Sequence, residues 1–165
     1  MITNINQIKM KLTTLSAQDQ ETLTELIMTN EGFSSFVYED SNDETYQWDS
    51  GENPTWLYGL NLREAGDTSM GFLMTTYKLG QIESDLIAAI SFFKPLPATV
   101  KIALFDMAYT LGVEGLLSFK TFLNDLFMVK YTEAANDLSS TKWYSQATIR
   151  CQKDQVLIAK GEDAQ

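Results

Sequence analysis

The chain has 165 residues, of which 12 are Lys or Arg and 22 are Asp or Glu, so its formal net charge at pH 7 is −10. A chain of this length can fold as one domain without a disulfide or a structural metal. The sequence contains no histidine and a single cysteine, Cys151. This excludes Ser-His-Asp triads, Cys-His dyads, histidine zinc sites and an internal disulfide. The acidic balance argues against nucleic acid as a partner.

The first helix is predicted to begin just after Ser16. Ser16 is a candidate N-cap, Asp19 suits the positive end of the helix dipole, and apolar residues recur at helical spacing until Gly32 supplies a C-cap. Residues 1–15 are expected to form an N-terminal extension. They have scattered polar residues where a signal peptide would be continuously apolar, and no later run reaches membrane-spanning length. We therefore expect synthesis in the cytoplasm and no stable membrane insertion.

The remaining pattern predicts a small sheet followed by helices. Residues 33–62 contain aromatic and β-branched residues separated by a polar stretch, which is typical of short strands around a long loop. Apolar residues then recur at helical spacing through residues 67–97 and again through residues 98–165. The sequence therefore predicts a single α+β domain. Residues 16–66 would form the first helix and a small sheet lobe, residues 67–97 a long connecting helix, and residues 98–165 a mostly helical C-terminal lobe.

Two carboxylates nine positions apart, Glu31 and Asp40, are candidates for acid–base chemistry. Glu31 falls at the end of the first helix, where the negative end of the dipole helps to keep a carboxyl group protonated. Asp40 falls in a polar loop after a strand, where a carboxylate stays ionised. In a glycosidase, one carboxyl group of such a pair is the general acid and the other stays ionised. The alternative is structural, since Glu is common before a capping glycine and Asp40 begins a run of turn-forming residues.

The same residues carry a resemblance to a known family. Glu31-Gly32, with Tyr38 and Asp40 at this spacing and then the sequence PTWLYG at residues 54–59, resembles the catalytic segment of the lysozymes of tailed bacteriophages, glycoside hydrolase family 24. Two later segments are also similar to the family. They are the stretch from Ala103 to Phe119 and the stretch from Lys142 to Arg150.

The resemblance implies a muramidase. Such an enzyme cleaves the β-1,4 linkage between N-acetylmuramic acid and N-acetylglucosamine in bacterial peptidoglycan, with no metal or cofactor. By this resemblance, Glu31 is expected to act as the general acid, Asp40 and Thr55 to position a water molecule, and Arg150 to pair with the catalytic glutamate. Residues expected to bind substrate or to support the site are Tyr38, Trp48, Trp56 and Tyr109.

Two departures from the family keep a second function open. Between Asp40 and Thr55 the chain has an insertion with four acidic residues and no basic one, and the family's glycine-rich strand ending in histidine is replaced by LYGLN at residues 57–61. The alternative is a catalytically weak or inactive lysozyme-like module that binds a protein partner, such as an immunity protein. For the enzyme we expect a monomer that acts on peptidoglycan. It would reach the cell wall through a membrane lesion, on a phage tail or by a secretion machine.

Overall fold

In a computed structural model of the chain, the described backbone forms seven α-helices and three short strands. The helices are α1 (Ala17–Glu31), α2 (Thr68–Ala89), α3 (Ala98–Leu117), α4 (Lys120–Phe127), α5 (Tyr131–Asp137), α6 (Lys142–Gln146) and α7 (Thr148–Ala159). The strands are β1 (Ser34–Glu39), β2 (Pro54–Leu57) and β3 (Leu60–Asn61). Two 3-10 segments follow α5 and α7, at Leu138–Ser140 and Lys160–Ala164. The structure describes the backbone of residues 12–31, 34–39, 54–57, 60–61 and 68–164, and the side chains of residues 12–31 and 75–163.

The chain forms two compact units, and the division between them falls inside α1 and inside α2. The sheet unit contains Thr24–Lys78, and the helical unit contains Leu12–Leu23 and Leu79–Gln165. Residues 12–15, which the sequence assigned to an extension, belong to the helical unit. Their leucines, Leu12 and Leu15, are buried, because apolar side chains gain free energy when they leave water.

The sheet unit holds a three-stranded antiparallel meander with β2 in the centre. Ser34 pairs with Leu57 and Tyr38 pairs with Thr55, so four residue steps along β1 match two along β2. The extra residues form an irregularity of the kind that bends a strand and locally increases its twist. On its other side β2 pairs with β3, where Thr55 lies opposite Asn61.

The predicted fold class, an α+β fold with a sheet lobe, is wrong. Of the residues whose side chains the structure describes, 82% are helical and none lies in a β-strand. The strands have only six, four and two residues, and strands this short bury little surface. The aromatic and β-branched residues of the segment 33–62 indicated the strands, but they do not establish a sheet lobe. The described chain is mainly α-helical, with one small meander.

The core of the helical unit lies where α3 packs on α7 and where α5 packs on α4 and α7. The helix α3 is apolar over most of its circumference, and a helix of that kind is typical of the centre of a core. The rings of Phe93 and Phe105 meet edge to face with centroids 5.8 Å apart, an arrangement that aromatic quadrupoles favour. Phe122 and Leu116 are also buried.

One glycine interrupts α3. Gly112 has φ 72° and ψ 159°, a conformation outside the helical region. Helical structure resumes after Gly112 and continues to Leu117.

No single helix of the described residues is both long and apolar enough to span a membrane. The helices α3 and α4 satisfy that test only as a pair, and they are bent by 97° relative to each other.

Candidate functional site

The first candidate residue, Glu31, is the last residue of α1, and its side chain is half-buried. The other end of this helix is capped as the sequence predicted: the amide of Asp19 donates to the Ser16 hydroxyl at 3.2 Å, and that hydroxyl donates to the Asp19 carboxylate at 2.6 Å. A side-chain acceptor at this point satisfies an amide that has no partner within the helix. The cap therefore fixes where α1 begins, and Glu31 lies at the other end, three residues before β1.

The sheet brings two more candidates into register. The backbone of Thr55 in β2 lies directly opposite Tyr38 in β1, and Glu39 lies opposite Pro54. Trp56 follows Thr55 in β2 and pairs with Leu60. Two candidates, Asp40 and Trp48, lie outside the described residues. Glu31, Tyr38, Thr55 and Trp56 thus belong to one compact unit, the sheet unit.

Arg150 lies in the helical unit and makes a two-point ion pair with Asp106. Its Nε donates to Oδ2 of Asp106 at 2.9 Å and its Nη2 donates to Oδ1 at 2.8 Å. The Asp106 side chain is fully buried and the Arg150 side chain is 13% exposed. Charge-assisted pairs with two parallel hydrogen bonds are strong and specific in geometry. This pair joins α7 to α3 in the core.

The sequence predicted that Arg150 contacts Glu31. Arg150 and Glu31 belong to different units, and this contact stays a prediction.

The candidate Tyr109 is on α3, three residues after Asp106, so Tyr109 and Asp106 lie on the same face of the helix. Tyr109 is 6% exposed.

A second buried carboxyl group lies close to the ion pair. Asp154 is one helical turn after Arg150 on α7 and is fully buried. Neither of its oxygens accepts a hydrogen bond. Burial raises the pKa of Asp154 well above its ordinary value, and the nearby Asp106 carboxylate raises it further, while Arg150 and Lys153 act in the opposite direction. Asp154 thus keeps its proton to a higher pH than a solvated aspartate does.

Cys151 is buried in the same helix. Burial, with a smaller contribution from Asp154, raises the pKa of its thiol to about 12. Thiolate is the reactive form of cysteine, so this environment makes Cys151 inert.

Sequence reasoning did not assign a role to Asp106 or to Asp154. Two signals for them were available. Asp106 is the one charged residue in an otherwise apolar run, Ile102 to Ala108, and buried aspartates of this kind need a partner. Asp154 is four residues from Arg150, the spacing that places two helical residues on one face.

The described residues contain no group of three or more His, Cys, Asp or Glu side chains that could hold a metal ion. Comparison with known proteins adds no assignment, since no family model matches the chain and no curated protein matches it. The resemblance to phage lysozymes therefore rests on the residues and spacings of the chain itself.

Proposed function

We propose that the chain is a muramidase that hydrolyses the β-1,4 linkage between N-acetylmuramic acid and N-acetylglucosamine in bacterial peptidoglycan. The observation that carries the proposal is the register of the small sheet. Thr55 pairs with Tyr38, which is two residues before Asp40 in the sequence, in a unit whose helix α1 ends at Glu31. That order and pairing suit a helix-end acid, a carboxylate that follows β1 in the sequence, and a hydroxyl residue in β2.

In the proposed reaction the glycosidic bond is exchanged for two hydroxyl groups at the expense of one water molecule. Glu31 donates its proton to the leaving glycosidic oxygen, which becomes a hydroxyl of N-acetylglucosamine. Asp40 and Thr55 orient a water molecule towards the anomeric carbon of N-acetylmuramic acid. Asp40 takes the proton that this water loses as the new bond forms.

The test is digestion of purified peptidoglycan by the wild-type chain and by Glu31→Gln. Released muropeptides are identified by mass spectrometry after reduction, which shows whether N-acetylmuramic acid carries the new reducing end. The substitution keeps the side-chain volume and removes the transferable proton. Turnover should therefore fall by about 10²- to 10⁴-fold.

A matched control is Glu25→Gln, the same substitution at an exposed position of the same helix. It should keep wild-type turnover, and circular dichroism should show that both variants fold. Wild-type turnover in Glu31→Gln would contradict the role of Glu31. The absence of any product from folded wild-type protein would overturn the proposal and would favour the inactive module that binds a protein partner.

A further inference from the structure

Three consecutive apolar side chains are exposed where α4 ends. Phe127, Met128 and Val129 are 59%, 55% and 47% exposed. The buried side of α4 is formed by Phe122 and Leu126, so these three side chains are not part of the core. Exposed apolar residues that occur singly need no explanation, whereas a contiguous group is a candidate interaction surface. We call Phe127–Val129 the apolar turn.

The backbone of the apolar turn has a conformation that valine disfavours. Val129 has φ 61°. The amide of Lys130 donates to the carbonyl of Asp125 at 2.9 Å, and the amide of Val129 donates to the carbonyl of Leu126 at 3.1 Å. This is the Schellman pattern, in which the left-handed position is usually glycine because a Cβ is unfavourable there. The chain thus exposes an isopropyl group at a conformational cost, and such strain is concentrated at functional sites.

Exposed lysines flank the apolar turn. Lys130 follows it directly, and Lys120 is seven positions before Phe127 on α4, so Lys120 and Phe127 lie on the same face of the helix. The rings of Phe127 and Phe92 are in contact, with centroids 5.4 Å apart. Lys94, which is also exposed, is two residues beyond Phe92.

The acidic excess of the chain is not found in this segment. Asp125 is the one acidic residue among residues 120–130. It is two positions before Phe127, which places it about 200° away around the helix. There it adds to the rise that burial causes in the pKa of Asp137 on α5. The next acid along the chain, Glu133, is four positions after Val129. A chain with a net charge of −10 therefore has a locally basic surface around its apolar turn.

We propose that the apolar turn, together with Lys94, Lys120 and Lys130, binds the surface of an anionic lipid bilayer. The apolar side chains enter the boundary between head groups and acyl chains, and the lysines contact the anionic head groups. Each part alone binds weakly, and the two signals together give attachment. The binding is peripheral and reversible, and no segment crosses the bilayer.

Two further observations favour a lipid surface. The net charge of −10 does not prevent binding, because at physiological ionic strength charges more than about 8 Å away are largely screened. The exposed apolar residues are consecutive at a helix end. A helix that docks in the groove of a protein partner instead presents apolar residues three and four positions apart.

The test is sedimentation of the full chain with vesicles made of equal parts of phosphatidylcholine and phosphatidylglycerol, beside vesicles of phosphatidylcholine alone. The wild-type chain should sediment with the anionic vesicles and remain in solution with the neutral ones. Raising the ionic strength from about 0.1 M to about 1 M shortens the screening length from about 10 Å to about 3 Å. This change should release the bound chain.

Matched variants separate the two parts of the surface. Met128→Ser should lower the partition coefficient about fivefold by removing apolar area, whereas Ile149→Ser, at a 74% exposed position on α7, should leave it unchanged. Lys130→Gln should also lower it about fivefold. Lys142→Gln, at an exposed position on α6, should have no effect.

Val129→Gly distinguishes binding from folding. Glycine accepts the left-handed conformation without strain, so this variant should have a higher Tm than wild type. It also lacks the exposed isopropyl group, so its partition coefficient should fall. An effect on binding that came only from a weakened fold would lower both quantities together.

Three results would overturn the inference: no sedimentation with the anionic vesicles, equal sedimentation with the neutral ones, or equal losses in Met128→Ser and Ile149→Ser. Absence of vesicle binding, combined with self-association that Met128→Ser abolishes, would assign the surface to a second copy of the chain. The inference does not depend on the proposed muramidase activity, because the vesicles contain no peptidoglycan. Failure of either proposal therefore leaves the other intact.

Discussion

Thr14 presents both its backbone amide and its hydroxyl to one carboxylate oxygen of Glu83, at 2.8 Å and 2.6 Å. The amide of Thr13 donates to both oxygens of the same carboxylate, at 2.8 Å and 2.9 Å. From the other side, Lys101 Nζ donates to the carbonyl of Thr14 at 3.1 Å. Glu83 and Lys101 are both buried. Two charged groups on α2 and α3 thus hold the segment that leads into α1.

We predict that Glu83→Gln destabilises the chain by about 1–3 kcal/mol. The side-chain amide of glutamine has one acceptor oxygen instead of two, and its NH₂ group would face donors, so a part-buried backbone amide of the Thr13–Thr14 segment would lose its partner. Chemical denaturation measures the change. Asp85→Asn, an exposed residue on the same helix, is the control and should change stability by less than about 0.5 kcal/mol. Equal effects of the two substitutions would contradict the prediction.

The pH dependence of stability should reveal Asp154. Its pKa in the folded chain is raised by burial and by Asp106, so between its ordinary pKa and its raised pKa the folded state binds more protons than the unfolded state. The free energy of unfolding therefore falls as pH rises through this window, by up to about 1.4 kcal/mol per pH unit for one proton.

Asp154→Asn removes this titration. The variant should gain stability relative to wild type as pH increases above about 4, which urea denaturation at a series of pH values can measure. Asp137, whose pKa is also raised by burial and by Asp125, is present in both proteins and cancels in the comparison. A stability difference that does not vary with pH would show that Asp154 is ionised in the folded chain.

The thiol of Cys151 should resist alkylation while the chain is folded. With a pKa of about 12, its thiolate fraction at pH 8 is on the order of 10⁻⁴, against about one quarter for a free cysteine. Iodoacetamide labelling followed by mass spectrometry should be at least about 10³-fold slower in the folded chain than in guanidinium chloride. Rapid labelling of folded protein would mean that Cys151 is accessible and activated.

Alanine should have opposite effects at two glycines. At both Gly112 and Gly80 an added Cβ would meet nothing within 4 Å, but Gly112 has φ 72° whereas Gly80 lies inside α2. Gly112→Ala should destabilise by about 1–3 kcal/mol because L residues avoid this conformation. Gly80→Ala should stabilise by up to about 1 kcal/mol through helix propensity. Thermal unfolding of the two variants isolates the effect of backbone conformation. Equal shifts in melting temperature would contradict the prediction.

If Asp40 and Thr55 hold a water molecule on the face of the sugar opposite Glu31, the reaction inverts the anomeric configuration. That arrangement needs a separation of roughly 6.5–9.5 Å between the carboxyl groups of Glu31 and Asp40. Proton nuclear magnetic resonance of the first product should show the α-anomer released from the β-linked substrate. Initial release of the β-anomer would indicate a covalent intermediate and would remove the role given to Thr55.

Local sequence rules predicted the elements of the chain. The Ser16 cap and the helical spacing of apolar residues each depend on residues within about four positions of one another. These interactions form within one turn of helix, so neighbouring residues are sufficient to predict them. The strands also fall inside the segment that the aromatic and β-branched residues indicated. These residues led to the wrong fold class, because residue composition does not determine how long a strand becomes.

The long-range contacts of the helical unit depend on tertiary structure. Asp106 and Arg150 are 44 positions apart, and Thr14 and Glu83 are 69 positions apart. The sequence supplied the residues of each pair, but not which partner each would find, because that depends on how the helices pack. Packing also gave two aspartates of the same core different roles. Asp106 accepts two hydrogen bonds from the Arg150 guanidinium. The pKa of Asp154, one turn after Arg150 on α7, is raised first by burial and then by Asp106.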